Sequence, residues 1–229
     1  MCDMNELPIA DHPIRWCHPV RPTQVDLDGL YLVTGGALAA GRRADALVAL
    51  DTHEAARRAG ASLGSVTSLA LLDALLGLPL GCPISVEDLT EHEDRIFHAA
   101  PHGCVEFTDT SVTRRLQVPA TVVAAVIRGT RWRASLRRAA AFSAFTQRIV
   151  VLQSPPSVAT ILEAQLVGVG IWVEIASGNF EEYLAPETFV PMYFKAAGWR
   201  FAENAYESAV EGGMVAHGVT LSRASAGCC

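Results

Sequence analysis

The chain of 229 residues is half hydrophobic, so it can bury a sizeable core as one large domain or two small ones. Its 18 basic and 24 acidic residues give a net charge of −6, and no apolar run reaches the roughly 18 residues that a membrane span needs. These properties exclude a disordered chain and predict a protein without a membrane partner. The opening residues lack a basic and apolar leader, so we expect a cytoplasmic location.

The preference for arginine over lysine indicates the composition of the genome that encodes the chain. Lys195 is the only lysine, and this preference for arginine is typical of a GC-rich bacterial genome. The 6 cysteines contain no CxxC pair, so we expect reduced thiols, including the terminal pair Cys228-Cys229.

The first 103 residues are predicted to form an extended arm followed by a mainly helical region. Several prolines and a lack of periodicity in residues 1–28 predict the arm. Residues 29–103 contain Ala- and Leu-rich stretches broken by glycines, including Gly35-Gly36, and this pattern predicts helices. The acidic segment from Glu87 to Asp94 is typical of a solvated helix start and marks the boundary between the two halves.

Residues 54–75 resemble a helix-turn-helix in their spacing. Ala56 is small, Gly60 falls at the turn, and Val66 and Leu69 fall at buried positions. The candidate recognition helix carries only Ser, Thr and Asp73 as polar residues, whereas base edges are usually contacted by Arg, Lys, Asn or Gln. An ordinary helical hairpin is therefore the alternative interpretation.

From Cys104 onward, strands and helices are predicted to alternate. The elements are strands Cys104–Val112 and Pro119–Ile127, helix Trp132–Thr146, strand Arg148–Leu152, helix Ser157–Val167, strand Val169–Ile175, and a return strand Glu181–Leu184 after the turn Ser177-Gly178-Asn179. The order β-β-α-β-α-β predicts an α/β (α+β) fold, with a mixed sheet flanked by helices in residues 104–195. Residues 196–229 are expected to form a C-terminal helix, within 196–210, and a flexible tail.

The clearest functional feature is a stretch without acidic residues. Between Thr110 and Leu162 the chain has no Asp or Glu but contains eight arginines, so the remainder is strongly acidic. Such separation of charge favours a basic face that binds a polyanion. The candidate nucleic-acid-binding residues are Arg114, Arg115, Arg128, Arg131, Arg133, Arg137 and Arg148.

The helix predicted to begin at Trp132 is amphipathic. At 100° per residue, Trp132 and Leu136 share one face, while Arg133 and Arg137 lie on the opposite side. We expect the first pair to be buried against the sheet and the second pair to be exposed. A core helix with merely solvated arginines is the alternative, but the absence of acidic partners four residues away favours contact with phosphate.

The order of these elements, together with Asp109 and the strand that ends at Arg128, resembles the restriction-endonuclease-like (PD-(D/E)XK) nuclease superfamily. That resemblance implies an Asp on one strand and a Glu-x-Lys on the next, which together hold a divalent metal for phosphodiester cleavage. Asp109 stands where the first carboxylate would fall, but Val126 and Arg128 stand where the Glu and Lys would be. Because valine cannot bind Mg²⁺, the resemblance implies the fold and argues against the nuclease activity.

We therefore expect a non-catalytic, DNA-associated or regulatory protein that needs no cofactor. The first alternative is an active Mg²⁺-dependent nuclease that takes its carboxylates from Glu106, Asp109 and Glu163. The second is a protein-interaction module whose basic face contacts an acidic partner, such as the acidic half of a second copy in a homodimer.

Two further motifs do not predict a catalytic or metal site. Gly60-Ala61-Ser62-Leu63-Gly64 has the GxSxG form, but a helix rather than a strand is predicted before Ser62. His98 and His102 are four residues apart, but Pro101 interrupts any shared helix, so no metal site is predicted.

Overall fold

The computed structural model describes residues 23–24, 29–176, 179–191 and 195–211, which form a mixed α/β architecture with two sheets. The strands are β1 (Thr23–Gln24), β2 (Tyr31–Ala39), β3 (Arg42–Leu50), β4 (Pro83–Ser85), β5 (Val105–Phe107), β6 (Ser111–Arg114), β7 (Ala120–Arg128), β8 (Gln147–Leu152), β9 (Gly170–Ala176) and β10 (Asn179–Leu184). The helices are α1 (Thr52–Gly60), α2 (Leu69–Leu76), α3 (Glu91–His98), α4 (Trp132–Ala139), α5 (Val158–Leu166) and α6 (Ala196–Glu211), with 3-10 turns at Val86–Asp88 and Ala140–Phe142.

Three of the predictions concern segments that lie largely outside the described residues. Apart from β1, the expected N-terminal arm lies outside the described residues, and so do Ser177-Gly178 of the expected turn. The expected tail from residue 212, with Cys228-Cys229, also lies outside them.

The prediction of a helical N-terminal half is wrong, because regular strands begin at Tyr31. β2 and β3 form an antiparallel hairpin whose turn residues, Ala40 and Gly41, both have positive φ, 48° and 71°. Two such residues match the twist of paired strands, but alanine is unusual there, so the hairpin is difficult to recognise from the sequence. The Gly35-Gly36 pair does not break a helix; it lies where the pairing of β2 with β3 slips between Val33 and Ala37.

The larger sheet combines the N-terminal hairpin with the predicted C-terminal strands. Its order is β10-β9-β8-β7-β3-β2, extended next to β10 by the two-residue β1. β7, β8 and β9 are parallel and are joined by α4 and α5, whereas the remaining neighbours are antiparallel. The predicted elements from Ala120 to Leu184 are confirmed with shifted bounds, although α4 ends at Ala139 rather than Thr146.

Both faces of the larger sheet are apolar, because neighbouring residues along a strand point to opposite sides. Ala125 and Ile127 of β7 belong to the core that includes Phe142 and Phe201. Ala124 and Val126 belong to a second cluster on the opposite face. β7 is therefore a central strand, consistent with its nearly continuous run of buried residues.

The predicted strand Cys104–Val112 is instead two strands of a separate sheet. β5 and β6 are antiparallel, and β4 pairs with the other side of β6. This small sheet packs with α2 and α3 in a core of its own that also includes Trp199 of α6. The α3 helix begins after a capping box formed by Thr90 and Glu93, as the acidic segment predicted, and ends at His98 before Pro101.

The two helices in the segment that resembles a helix-turn-helix are separated by residues 61–68. A helix-turn-helix uses a turn of about three or four residues, so this connection is too long for that motif. Ser62 lies in the connection, after a helix rather than after a strand. Among the described residues, no helix has the length and apolar character that crossing a membrane requires.

Three charged side chains are buried where α1 meets α6, and we call Glu54, Arg58 and Glu203 the buried ion network. Arg58 is 0% exposed; its Nε donates to Glu54 at 2.8 Å, and its two terminal nitrogens donate to Glu203 at 2.7 Å. Glu203 also accepts from the backbone N–H of Val66 and from Trp199 Nε1. The network therefore links the two cores by paired and fully hydrogen-bonded charges.

Candidate nucleic-acid interface

The helix α4 begins at the carboxyl end of β7. The strand ends at Arg128, and residues 129–131 turn the chain into the helix. Gly129 lies so close to Ser135 that an added Cβ would collide with the Ser135 hydroxyl. A side chain at position 129 would therefore require the Ser135 hydroxyl to move, and Ser135 is 2% exposed.

The start of α4 lacks the features that stabilise the other helix starts. Arg131 occupies the N-cap position without a side-chain hydrogen bond to the helix, and the first turn contains no acidic residue. By contrast, side-chain oxygens cap four other helices: Asp51 for α1, Ser68 for α2, Thr90 for α3 and Ser157 for α5. The positive end of the α4 dipole is therefore left uncompensated.

Three arginines around the start of α4 are exposed: Arg131, Arg133 and Arg137, which we call the arginine surface. No residue that the structure describes forms a hydrogen bond or salt bridge with any of their guanidinium groups. Arg133 and Arg137 are four residues apart on one side of the helix, so two like charges lie close together. The prediction that both are exposed is confirmed.

The opposite side of α4 is only partly buried at its start. Ser135 and Ala139 are buried, while Trp132 and Leu136 are half-buried against the core. Trp132 Nε1 donates a hydrogen bond to Glu163 of α5 at 2.7 Å. The prediction that Trp132 and Leu136 are buried is therefore wrong in degree, because the fully buried residues of α4 are Ser135 and Ala139.

The other predicted arginines have partners inside the protein. Arg114 donates to the carbonyls of Leu75, Leu78 and Leu116 and stacks over Trp199 at 4.5 Å. Arg148 donates to the carbonyl of Val167 at 2.7 Å. Burial lowers the pKa of both guanidinium groups. Arg115 forms a salt bridge with Glu106, so these three arginines are largely committed to the fold.

Arg128 lies between two carboxylates on two other strands of the larger sheet. Its Nε donates to Asp45 of β3 at 3.0 Å, and its Nη1 donates to Glu174 of β9. Burial opposes the charged form, but hydrogen bonds to Glu174 and Asp45 outweigh it, so the pKa of Arg128 is raised. Asp45 is held from its other side by the N–H of Gly35 at 3.1 Å. These groups form one ion-paired and hydrogen-bonded cluster at the carboxyl end of β7.

The three carboxylates of the nuclease alternative lie on separate elements. Glu106 is on β5, Asp109 is in the exposed turn between β5 and β6, and Glu163 is on α5. Among the described residues, no group of three or more His, Cys, Asp or Glu side chains is arranged to hold a metal ion.

The sequence does not predict that Asp45 and Glu174 lie beside Arg128, or that Arg43 lies beside α4. Arg138 of α4 donates to the backbone carbonyls of Arg128 at 3.1 Å and Arg43 at 3.2 Å. β3 was expected to be helical, so its residues could not be placed beside β7. Recognition of the Ala40-Gly41 turn would have indicated that Arg43 and Asp45 lie on a strand.

No protein-family model, curated protein or solved structure matches this chain. Its functional assignment therefore depends on its own residues and their geometry.

Proposed function

We propose that the chain is a non-catalytic nucleic-acid-binding protein whose arginine surface contacts phosphate groups. The observation that carries this proposal is that Arg131, Arg133 and Arg137 are exposed and have no partner among the described residues. Arginine suits phosphate because its planar fork donates two parallel hydrogen bonds. We expect contact with the phosphate backbone, and therefore little dependence on base sequence.

The electrostatics of α4 support this proposal. Arg133 lies in the first turn, where the helix dipole disfavours a cation, and it faces the like charge of Arg137. Each of these effects costs roughly a few tenths of a kcal/mol in the free protein. A bound phosphate would relieve both, since an anion is favoured near a helix N-terminus and between two guanidinium groups.

The cluster around Arg128 supports the non-catalytic part of the proposal. In the nuclease-like pattern, carboxylates on adjacent strands hold a metal, and here Asp45 of β3, rather than Asp109, lies beside β7. Asp45 is ion-paired with Arg128, and Val126, at the position of the second carboxylate, is apolar and 1% exposed. These residues do not fit a divalent metal, because an arginine repels the cation and valine supplies no oxygen ligand.

The binding test is a fluorescence anisotropy titration with labelled duplexes of unrelated sequence at several salt concentrations. We expect similar affinities for all sequences and a steep loss of binding as salt rises. The variant R133E/R137E should weaken binding to every duplex and reduce the salt slope by about two, if each arginine contacts one phosphate.

A matched control is R95E/R115E, which changes net charge equally but alters exposed arginines on α3 and after β6. Because R115E breaks the salt bridge with Glu106, circular dichroism should confirm that this variant is folded. It should bind nearly as well as the parent protein. Equal losses in the two double variants would show that only net charge matters, and would contradict the assignment to α4. No duplex binding, combined with dimerisation in sedimentation, would instead favour the protein-interaction alternative.

A second test measures cleavage of duplex and single-stranded DNA with Mg²⁺ or Mn²⁺. We expect none above background. Cleavage that is abolished by D45A or D109A would overturn the non-catalytic proposal and support the nuclease alternative. The relationship to the nuclease superfamily and the cytoplasmic location stay predictions.

A further inference from the structure

A hollow of about 470 Å³ lies between the β2–β3 turn and α6. Its volume falls in the range of small-ligand sites, roughly 300–1,000 Å³. Four of its lining residues, Ala39, Ala40, Gly41 and Ala197, have small side chains or none. We call this hollow the α6 pocket.

Two arginines from different elements line the α6 pocket. Arg43 comes from the start of β3 and Arg200 from the first half of α6, and both are exposed. Neither side chain has a hydrogen-bond or salt-bridge partner within the described part of the chain. The acidic residue of the lining, Glu207, accepts a hydrogen bond from the Ser65 hydroxyl at 3.0 Å. The pocket therefore carries excess positive charge.

The floor of the α6 pocket is aromatic and apolar. The rings of Phe145 and Phe201 are stacked, with centroids 5.0 Å apart and planes inclined by 23°. Phe201 is buried, but Phe145 is only half-buried and lines the hollow. A planar ring placed against Phe145 would continue the stack. Asn204, which follows Arg200 by one helical turn, adds an amide that can donate and accept hydrogen bonds.

We propose that the α6 pocket binds one nucleotide, with its base against Phe145 and its phosphate between Arg43 and Arg200. The ligand chemistry that satisfies all three side chains is a planar heteroaromatic ring joined to an anion. Stacking of a base on an aromatic side chain contributes binding that tolerates any base, and the guanidinium groups supply the charge.

This inference rests on the proposed function in one respect, namely that the nucleotide belongs to a polynucleotide held by the arginine surface. Arg138 of α4 donates to the backbone carbonyl of Arg43, so the helix that carries Arg133 and Arg137 lies beside the strand that supplies Arg43. A base in a duplex is paired and stacked, and so cannot enter a pocket without being extruded. The partner that fits both features is therefore a single strand.

The experiment compares a labelled 20-nucleotide oligothymidylate with a duplex of the same length, and adds a titration with free thymidine monophosphate. We expect the single strand to bind at least tenfold more tightly than the duplex. R43A/R200A should remove most of this preference and leave duplex binding unchanged, whereas R133E/R137E should weaken both. F145L, checked by circular dichroism for folding, should also reduce single-strand binding because leucine does not stack.

The outcomes separate the pocket from the arginine surface. If duplex and single strand bind equally and R43A/R200A changes neither, the pocket proposal is overturned while the proposed function stands. If thymidine monophosphate binds and R43A/R200A abolishes this, but neither the single strand nor the duplex binds, the pocket is supported as a free-nucleotide site and the proposed function fails. If neither the mononucleotide nor the single strand binds, the pocket proposal is overturned, and only the additional absence of duplex binding would also overturn the proposed function.

Discussion

Arginine occupies two opposite environments in this protein, the buried ion network and the arginine surface. Arg58 is 0% exposed and is matched by Glu54 and Glu203, so its charge is compensated within the fold. Arg133 is exposed, has no acidic partner among the described residues, and lies at the unfavourable end of a helix. Pairing with carboxylates of the same protein, rather than the number of arginines, therefore distinguishes structural arginines from candidate ligand-binding arginines.

The largest effect is expected from R58A, since it leaves the buried Glu203 without its cation and leaves Glu54 with Arg57 alone. Removing one partner of a buried ion pair typically costs about 3–5 kcal/mol of unfolding free energy. Urea denaturation followed by circular dichroism measures the loss.

The matched control for Arg58 is its neighbour Arg57, which also pairs with Glu54 but has a side chain that is 31% exposed. Because water can partly replace its interactions, R57A should cost only about 1 kcal/mol. Similar losses for both variants would show that the network does not depend on burial.

A smaller effect is expected from W132A. The indole is half-buried and donates to Glu163, so truncation should cost about 2 kcal/mol, less than the roughly 3–5 kcal/mol of a fully buried tryptophan. The adjacent variant R133A should change the unfolding free energy by only about a few tenths of a kcal/mol. If the two variants have the same urea midpoint, α4 is rotated relative to the described orientation.

The buried ion network should also be visible in the pH dependence of stability. Burial raises the pKa of Glu54, but hydrogen bonds from Arg57 and Arg58 outweigh it, so the folded pKa lies below the ordinary value of 4.5. The stabilisation is therefore complete above the unfolded pKa and is lost as the pH falls through the lower folded pKa. Urea midpoints measured from pH 7 to pH 3 should fall less steeply for E54Q than for the parent, whereas R133A should parallel the parent.

The smallest effect is expected from R133E, and it has the opposite sign. A carboxylate in the first turn suits the helix dipole and removes the repulsion from Arg137, so stability should rise by roughly 0.3–1 kcal/mol. The same change should weaken nucleic-acid binding. A thermal melt combined with the anisotropy titration detects both effects. Lower stability would mean that Arg133 has a structural role that the described contacts do not show.

The elements after Ala120 could be predicted from the sequence because their patterns are local. The run of β-branched and small residues in β7, the amphipathic α4 and the Ser157 cap of α5 each depend on nearby residues. The exposure of Arg133 and Arg137 followed from the same periodicity. The hairpin of β2 and β3 could not be predicted in this way, because its alanines and leucines suit a helix equally well.

The sequence by itself determined that eight arginines lie in a segment without acidic residues, and that Arg133 and Arg137 share the exposed side of α4. Only the tertiary structure decided which of them are free. Arg114 contacts carbonyls of α2, and Arg128 meets Asp45 and Glu174, which lie 83 and 46 residues away along the chain. Electrostatic pairing depends on distance in space. A sheet brings together residues that are far apart along the chain, so their separation in sequence does not reveal which charges pair.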